Sequence, residues 1–205
     1  MAELVGYLGT MNSMKSAMAL MRAHKYTQDG ETYIAFKSAN DTREESNTIQ
    51  SRALGEGIPC IMVSDSEYNL IYDTAVRHKP DHIIVDEIQF MTSRHINELT
   101  LVAKILDIPV ECYGLKVDFR SRLFEGSKRL IELADRIEWV ENKCSTKGCE
   151  SQATMNLRTE DGIPTLSGST IQVGKEESYT ALCPACYLLE ISKCDNEIMD
   201  KLMGE

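Results

Sequence analysis

The sequence predicts an α/β fold, in which a mostly parallel β-sheet is flanked by helices and is followed by a small β-rich module. Over the first 140 residues or so, short strand-like segments alternate with longer helix-like ones, the order that builds a parallel sheet. The strand-like segments are nearly continuous in apolar residues, as expected when helices cover both faces of a sheet. After Asn142, turn formers, charged residues and paired cysteines replace the long apolar runs.

The individual elements follow from hydrophobic periodicity. Strands are predicted at "ELVGYL" (3–8), "TYIAFK" (32–37), "PCIMVS" (59–64), "HIIVDE" (82–87) and "VECYGL" (110–115), with "RIEWVE" (136–141) as a candidate last strand. Helices are predicted at 15–26, 66–77, 93–106 and 126–134, and the stretch "LLEISKCDNEIMDKLM" can form a terminal helix. Gly30 is expected to end the first strand–helix unit.

Length and composition suit one domain of ordinary size with a small appendage. We expect an α/β domain at 1–141, a cysteine-bearing module at 142–190 and a helical tail at 191–205. The sequence has no run of about 18 apolar residues, so we expect no membrane-spanning helix. It also lacks the basic region that precedes the apolar stretch of a signal peptide. The net charge of −10 and the absence of a basic cluster argue against nucleic acid as a partner. We therefore expect a cytoplasmic protein without a membrane or nucleic-acid partner.

The stretch "GTMNSMKS" nearly fits the phosphate-binding pattern G-x-x-x-x-G-K-[ST]. It lies between a predicted strand and a predicted helix, so backbone N–H groups at the helix start would point towards a phosphate. Lys15 would reach the β- and γ-phosphates, and the Ser16 hydroxyl would bind Mg²⁺. The sequence therefore predicts a P-loop for ATP made by Gly9, Thr10, Met11, Asn12, Ser13, Met14, Lys15 and Ser16.

Met14 departs from that pattern, since it stands where the second glycine is usual. A non-glycine residue with positive φ costs about 1–3 kcal/mol of strain, and a bulky side chain could crowd the β-phosphate. Two alternatives stay open from the residues alone. The protein is either a nucleotide-binding enzyme that tolerates Met14, or a related protein that binds nucleotide with weakened or lost turnover.

A pair of carboxylates ends the predicted strand "HIIVDE". Asp86 follows three β-branched residues and could hold the Mg²⁺ shell opposite the P-loop. Glu87 would face the other side of the strand end and be free for other work. The alternative is that Lys15 and Ser16 merely begin a helix while the two carboxylates cap a strand.

Four cysteines fall into two pairs in the module. Cys183 and Cys186 have the two-residue spacing that lets two thiolates bind one tetrahedral ion, and Cys144 and Cys149 have a wider spacing that includes Gly148. Four thiolates predict a structural Zn²⁺. A disulfide pair and a zinc-ribbon nucleic-acid module are the alternatives, and the acidic charge argues against the second.

Several ordered motifs together resemble the type II thymidine kinases, over almost the whole chain. They are the P-loop residues, "NDTRE" with Asp41, Thr42 and Arg43, "DEIQF" with Asp86, Glu87, Gln89 and Phe90, "CYGLKVDF" (112–119), "LFEGS" (123–127), and the cysteine pairs with "SYTALCPACY" (178–187). The resemblance implies transfer of the γ-phosphoryl group of ATP to the 5′-hydroxyl of thymidine or deoxyuridine, in the salvage route to dTMP. It also implies that the cysteine module is a zinc-bearing lasso.

The resemblance assigns roles to further residues. Arg43 would contact the transferring phosphoryl group, Glu87 would be the general base, and Asp41 would orient Arg43 or complete the outer magnesium shell. Asn156 stands at a position where many members of the family have a threonine close to the base of the nucleoside. The residues expected around the nucleoside are Met11, Phe90, Leu115, Phe119, Phe124, Asn156 and Tyr179.

The resemblance further implies a homotetramer and feedback inhibition by dTTP. The rival interpretation is a kinase-like binding or regulatory protein that has lost turnover through Met14. A P-loop motor or loader acting on nucleic acid would need an extended basic surface and a longer core.

Overall fold

A computed structural model describes residues 1–40, 47–51, 54–168 and 179–193. Its main sheet has six strands in the order β5-β2-β6-β7-β1-β8, and every neighbouring pair runs parallel. The predicted α/β class with a mostly parallel sheet is confirmed. In the described residues, no helix is long and apolar enough to cross a membrane. The strands of this sheet are β1 (Leu4–Gly9), β2 (Tyr33–Ser38), β5 (Ile61–Val63), β6 (His82–Asp86), β7 (Val110–Leu115) and β8 (Arg136–Trp139).

Helices join these strands and cover both faces of the sheet. They are α1 (Lys15–Asp29), α2 (Leu70–His78), α3 (Ser93–Ile105) and α4 (Glu125–Leu133), with a single 3₁₀ turn at Ile88–Phe90. Each lies within a few residues of its predicted position. Gly30 ends α1 as expected: it has a φ of 77°, and its N–H donates to the carbonyl of Thr27.

The two faces of the sheet carry separate hydrophobic cores. Leu4 and Leu8 of β1 point into the core beneath α2, α3 and α4, whereas Val5 and Tyr7 point into the core beneath α1. Because successive side chains of a strand point to opposite faces, both sets must be apolar. This explains why the strand sequences read as almost unbroken apolar runs.

A hairpin formed by β3 (Thr48–Ser51) and β4 (Glu56–Pro59) was not predicted. The predicted strand at 59–64 was too long at its start, since β4 ends at Pro59 and β5 begins only at Ile61. Ile49 of this hairpin is fully buried in the core beneath α1. The two strands are four residues long, which is too short for period-two alternation to stand out in the sequence.

The cysteine-bearing segment forms a three-stranded antiparallel sheet with its own small core. Its elements are β9 (Met155–Glu160), β10 (Ile163–Pro164), β11 (Tyr179–Leu182) and α5 (Pro184–Ser192). Helix α5 begins four residues before the predicted terminal helix, because Cys183 caps its N-terminus and Pro184 occupies the first helical position. Most of the expected tail at 191–205 lies outside the described residues, and the domain boundaries at 141–142 and 190–191 stay predictions.

Candidate active site

The phosphate-loop sequence connects β1 to α1 at the carboxyl edge of the sheet. Gly9 ends β1, and a Cβ at this position would lie 2.6 Å from Ser13 Oγ and 3.1 Å from the carbonyl oxygen of Val140. A glycine is therefore needed here for close approach between the loop and the end of β8. The Ser13 hydroxyl in turn donates to the Thr10 carbonyl at 2.8 Å, which closes the loop on itself.

Met14 adopts the backbone conformation that the missing glycine would supply. Its φ and ψ are 62° and 19°, in the left-handed region, and it stands at the N-cap of α1. The side chain is 65% exposed to solvent. The loop therefore accommodates methionine at the cost of left-handed backbone strain, with the side chain directed largely into water.

Lys15 begins α1, and its ammonium group lies across the loop. Nζ donates to the Thr10 carbonyl at 2.6 Å and to Ser13 Oγ at 3.0 Å. The cation is thus held over the loop that precedes the helix N-terminus, where anions are favoured.

Ser16 and Asp86 are 70 residues apart in sequence and in direct contact in the structure. Ser16 Oγ donates to Asp86 Oδ2 at 2.8 Å. Asp86 is the last residue of β6 and is almost fully buried, and this burial, followed by the charge of Glu87, raises the pKa of the Asp86 carboxyl. A hydroxyl and a carboxylate at this separation are the ligand types that Mg²⁺ prefers in phosphate sites.

Glu87 leaves the strand in a strained conformation, with a φ of 52° at the start of the 3₁₀ turn. Its carboxylate accepts a short hydrogen bond from Gln89 Nε2. The other end of that amide is also fixed, since Gln89 Oε1 accepts from the Leu115 N–H at 2.9 Å. Gln89 therefore connects the Glu87 carboxylate to β7. The sequence identified Gln89 only as part of the motif "DEIQF" and could not assign this contact.

Two glycines leave room for this turn. A Cβ on Gly114 would overlap Gln89 Oε1 and lie 2.6 Å from Ile88 Cγ2. A Cβ on Gly126 would overlap the Ile88 carbonyl. Both glycines permit the close packing of the 3₁₀ turn against β7 and α4.

The residues predicted to surround a nucleoside divide into two groups by burial. The rings of Phe90 and Phe124 meet edge to face with centroids 5.9 Å apart. Five of the predicted residues are half-buried and able to line a pocket: Met11, Phe90, Leu115, Phe124 and Tyr179.

Phe119 and Asn156 are buried and engaged by protein groups. The Phe119 ring has the guanidinium groups of Arg120 and Arg158 each 4.9 Å from its centroid. The Asn156 amide accepts from the Met11 N–H at 2.8 Å and donates to the Val117 carbonyl at 3.1 Å. Contact between either residue and the base stays a prediction.

Asp41 and Arg43 lie outside the described residues, so their predicted roles beside the phosphates stay predictions as well.

The four predicted metal-ligating cysteines come together. All four Sγ atoms, of Cys144, Cys149, Cys183 and Cys186, lie within 4.8 Å of one another, and those of Cys149 and Cys183 are 3.8 Å apart. A tetrahedron with Zn–S bonds of about 2.3 Å has edges of about 3.8 Å, so the cluster fits zinc. Although burial opposes it, hydrogen bonds from the Cys183 backbone and from Thr146 lower the pKa of Cys144 to about 6. A thiolate, the form that binds metal, is thereby favoured.

Comparison with known proteins agrees with this geometry. A family model for thymidine kinase matches residues 2–187. The thymidine kinase of Streptococcus gordonii is 40% identical over 187 residues, covering 91% of this chain and 96% of that protein. That of Streptococcus agalactiae serotype Ia is 39% identical, with 91% and 97% covered. That of Lactococcus lactis subsp. lactis is 37% identical with the same coverage.

Among solved structures, the chain is similar to the X-ray structure of the Legionella pneumophila ATPase DotB. The sequence identity is 16% and the TM-score 0.40, over 95% of this chain and 62% of that one, a likeness too distant to bear on activity. The family model spans nearly all of the described α/β sheet and the cysteine cluster, and the relatives match almost from end to end. The chain belongs to the thymidine kinase family.

Proposed function

We propose that this chain transfers the γ-phosphoryl group of ATP to the 5′-hydroxyl of thymidine. The observation that carries the proposal is the contact between Ser16 and Asp86 at 2.8 Å, with the Glu87 carboxylate on the next residue, in a chain of the thymidine kinase family. Ser16 and Asp86 would serve as a magnesium ligand pair, beside the Glu87 carboxylate and the N-terminus of α1. Phosphoryl transfer needs mainly such positioning and charge neutralisation.

Charge neutralisation falls to the loop 9–16 and its surroundings. The backbone N–H groups of the loop and the Lys15 ammonium would bind the β- and γ-phosphates, and Arg43 would add a second cation. Bound to Ser16 and Asp86, with Asp41 in the outer shell, Mg²⁺ would neutralise charge on the phosphate oxygens.

Glu87 is proposed as the general base. Its carboxylate would accept the proton of the 5′-hydroxyl as that oxygen bonds to the γ-phosphorus and the bond to the ADP oxygen breaks. The hydrogen bond from Gln89, itself held by the Leu115 N–H, fixes the carboxylate beside the end of β6. A base that is fixed in this way loses little conformational freedom on reaching the transition state.

The nucleoside is proposed to lie against the half-buried apolar residues beyond the 3₁₀ turn. Phe90 and Phe124 give an edge-to-face aromatic corner, and half-buried Leu115 and Met11 are proposed to complete the apolar wall around the nucleoside. Tyr179, on β11, would contact the sugar or base from the lasso. Pockets of this kind bind a flat base by apolar contact, with a few polar groups for orientation, and deoxyuridine would fit the same site.

The finer expectations from the resemblance are part of this proposal. Zinc held by the four cysteines would be structural, since four thiolates leave no open ligand position. Feedback inhibition by dTTP, a homotetramer and a cytoplasmic location complete it. Light scattering would test the tetramer, and inhibition by dTTP of the thymidine-dependent rate would test the feedback.

The alternative of an inactive binder rests on Met14. Its left-handed backbone matches the conformation a glycine would take, and its side chain is mostly in solvent. Neither observation favours loss of turnover, and the relatives named above are thymidine kinases.

Thymidine-dependent ADP release in the presence of Mg²⁺ tests the activity. Glu87→Gln should lower kcat by at least about a hundredfold, of the order general-base catalysis contributes, and leave the Kd for MgATP within about twofold. Glu132→Gln is a matched control, because Glu132 is a surface residue of α4 paired with Arg129. Undiminished turnover in Glu87→Gln would remove Glu87 as the base, and a silent wild-type protein that binds MgATP would support the inactive-binder alternative.

A further inference from the structure

Two asparagines of the cysteine-bearing segment hold the backbone of Met11 in the phosphate loop. Asn156 Oδ1 accepts from the Met11 N–H at 2.8 Å. Asn142 Nδ2 donates to the Met11 carbonyl at 3.1 Å and to Thr10 Oγ1 at 3.0 Å. Both polar groups of one loop residue are thus bound by side chains that lie more than 130 residues away in sequence.

We propose that Asn142 and Asn156 are positioning residues, through which the cysteine module sets the conformation of the phosphate loop and hence the affinity for ATP. The proposal deepens the proposed kinase function and rests on it for the identity of the nucleotide. Asn142 thereby gains a role in the site that the sequence did not suggest. Asn156, which was expected near the base, is instead assigned to positioning the phosphate loop.

The orientation of the Asn156 amide is fixed from both ends. Asn156 is 3% exposed, and its Nδ2 donates to the Val117 carbonyl at 3.1 Å. A flipped amide would place its NH₂ group against the Met11 N–H and its oxygen against the Val117 carbonyl. Because both contacts would then be lost within the protein interior, the observed orientation is strongly favoured.

Both asparagines belong to the framework that carries the cysteines. Asn142 lies two residues before Cys144, and its carbonyl accepts from the Ala153 N–H at 2.7 Å. Asn156 lies on β9 and is paired with Ala181 of β11, the strand that leads directly into Cys183. A metal ion bound by the cysteines would join the segment that follows Asn142 to the segment that follows β11. Metal binding and the position of the two amides are therefore expected to be coupled.

Coupling of this kind is reciprocal. If metal binding by the cysteine module increases the affinity for MgATP by some factor, then MgATP must increase the affinity of the module for the metal by the same factor. The loop and the cysteine cluster can therefore be tested from either side, and neither measurement requires turnover.

The first experiment measures the Kd for MgATP by calorimetry, without nucleoside, on zinc-loaded protein. Asn142→Asp keeps the shape of the side chain but lacks the donor to Met11, and we expect its Kd to rise about tenfold, of the order that loss of a partly buried hydrogen bond produces. Asn156→Ala should raise it similarly. Asn97→Asp is the control, because exposed Asn97 accepts from Arg129 of α4 and lies on α3, on the face of the sheet opposite α1.

A double variant adds a sharper criterion. Since both asparagines bind the backbone of the same residue, Met11, the effect of Asn142→Asp combined with Asn156→Ala on the Kd should be less than the product of the single effects. A Kd for Asn142→Asp within twofold of wild type, in protein with normal zinc content, would overturn the proposal. A change in the thymidine KM alone for Asn156→Ala would make Asn156 a base contact and likewise overturn its role here.

The second experiment has a decisive comparison within the wild-type protein, which does not depend on the folding of any variant. Zinc is partitioned between the protein and a zinc-selective chromogenic chelator, with and without saturating MgATP. We expect MgATP to increase the zinc retained at a given chelator concentration, in wild type and in Asn97→Asp but not in Asn142→Asp. Equal retention with and without MgATP in wild type would refute the coupling.

Failure of the kinase proposal gives a different result. A protein that binds MgATP with this coupling but releases no ADP with thymidine would contradict the proposed function and leave the positioning role intact. Thymidine-dependent turnover without any coupling between MgATP and zinc would support the proposed function and refute the positioning role.

Discussion

Replacing Gly126 by alanine sets two physical effects against each other. Gly126 lies in the first turn of α4, where helix propensity alone predicts that alanine stabilises the protein by about 1 kcal/mol. The added Cβ would overlap the Ile88 carbonyl, however, and would lie 2.6 Å from the Met91 carbonyl oxygen. Both are main-chain atoms, so no side-chain rotation can relieve the overlap and α4 must move away from the 3₁₀ turn.

Overpacking of this kind costs about 1–3 kcal/mol, and the rigid neighbours on two sides place Gly126→Ala near the upper end. After subtraction of the propensity gain, we expect a net loss of about 2 kcal/mol in the free energy of unfolding. The turn that must yield also carries Glu87 and Gln89. Because Glu87 is the proposed general base and small displacements of a catalytic group are costly, we expect kcat/KM for thymidine to fall by at least about tenfold.

Urea unfolding of zinc-loaded protein and initial-rate kinetics with thymidine test both parts. Lys128→Ala is the control, because Lys128 is exposed on the same helix and its change should stay within about 0.5 kcal/mol of wild type. If Gly126→Ala unfolds at a higher urea concentration than wild type, propensity outweighs packing at this site. The close contact between α4 and the 3₁₀ turn would then not be the reason for this glycine.

Two further predictions concern the phosphate loop and the base of the sheet. Met14→Gly should change kcat/KM by less than about threefold and stability by less than about 1 kcal/mol, because relief of left-handed strain is offset by the greater freedom of unfolded glycine. A tenfold gain in kcat/KM would instead mean that the methionine obstructs phosphate. Asp135→Asn should lower stability by about 1 kcal/mol at pH 7, since the part-exposed carboxylate accepts hydrogen bonds from Lys104 and from the Leu4 N–H. These contacts lower the pKa of Asp135 from 3.8, so its contribution is present above that pH and is lost as the pH falls through the folded-state value. The difference in melting temperature between wild type and Asp135→Asn should therefore shrink progressively as the pH falls below 3.8, and a difference that stays constant with falling pH would contradict the electrostatic explanation.

The order and class of the main-sheet elements were predictable because their signals are local. In β1, the alternation of Leu4 and Leu8 with Val5 and Tyr7 supplies apolar residues to both faces, and the same holds in β6. The β3–β4 hairpin escaped prediction because its strands are only four residues long and its burial depends on α1. The start of α5 was missed because a cysteine that caps a helix resembles a metal ligand in sequence, and Cys183 is placed to be both.

By itself, the sequence predicted the fold class and the family, and it singled out the residues of the phosphate-binding motif, the strand-end carboxylates and the four cysteines. These features depend on residue types at fixed spacing, which a chain displays before it folds. Only the tertiary structure decided which groups meet: Ser16 with Asp86, Gln89 with Glu87, and Asn142 and Asn156 with Met11. The contacts of Ser16 with Asp86 and of the two asparagines with Met11 each span 70 residues or more. They depend on strand order and register, which no local pattern encodes. For the same reason the amide of Asn156, which in sequence marked only a departure from threonine, is in the structure a link between the cysteine module and the phosphate loop.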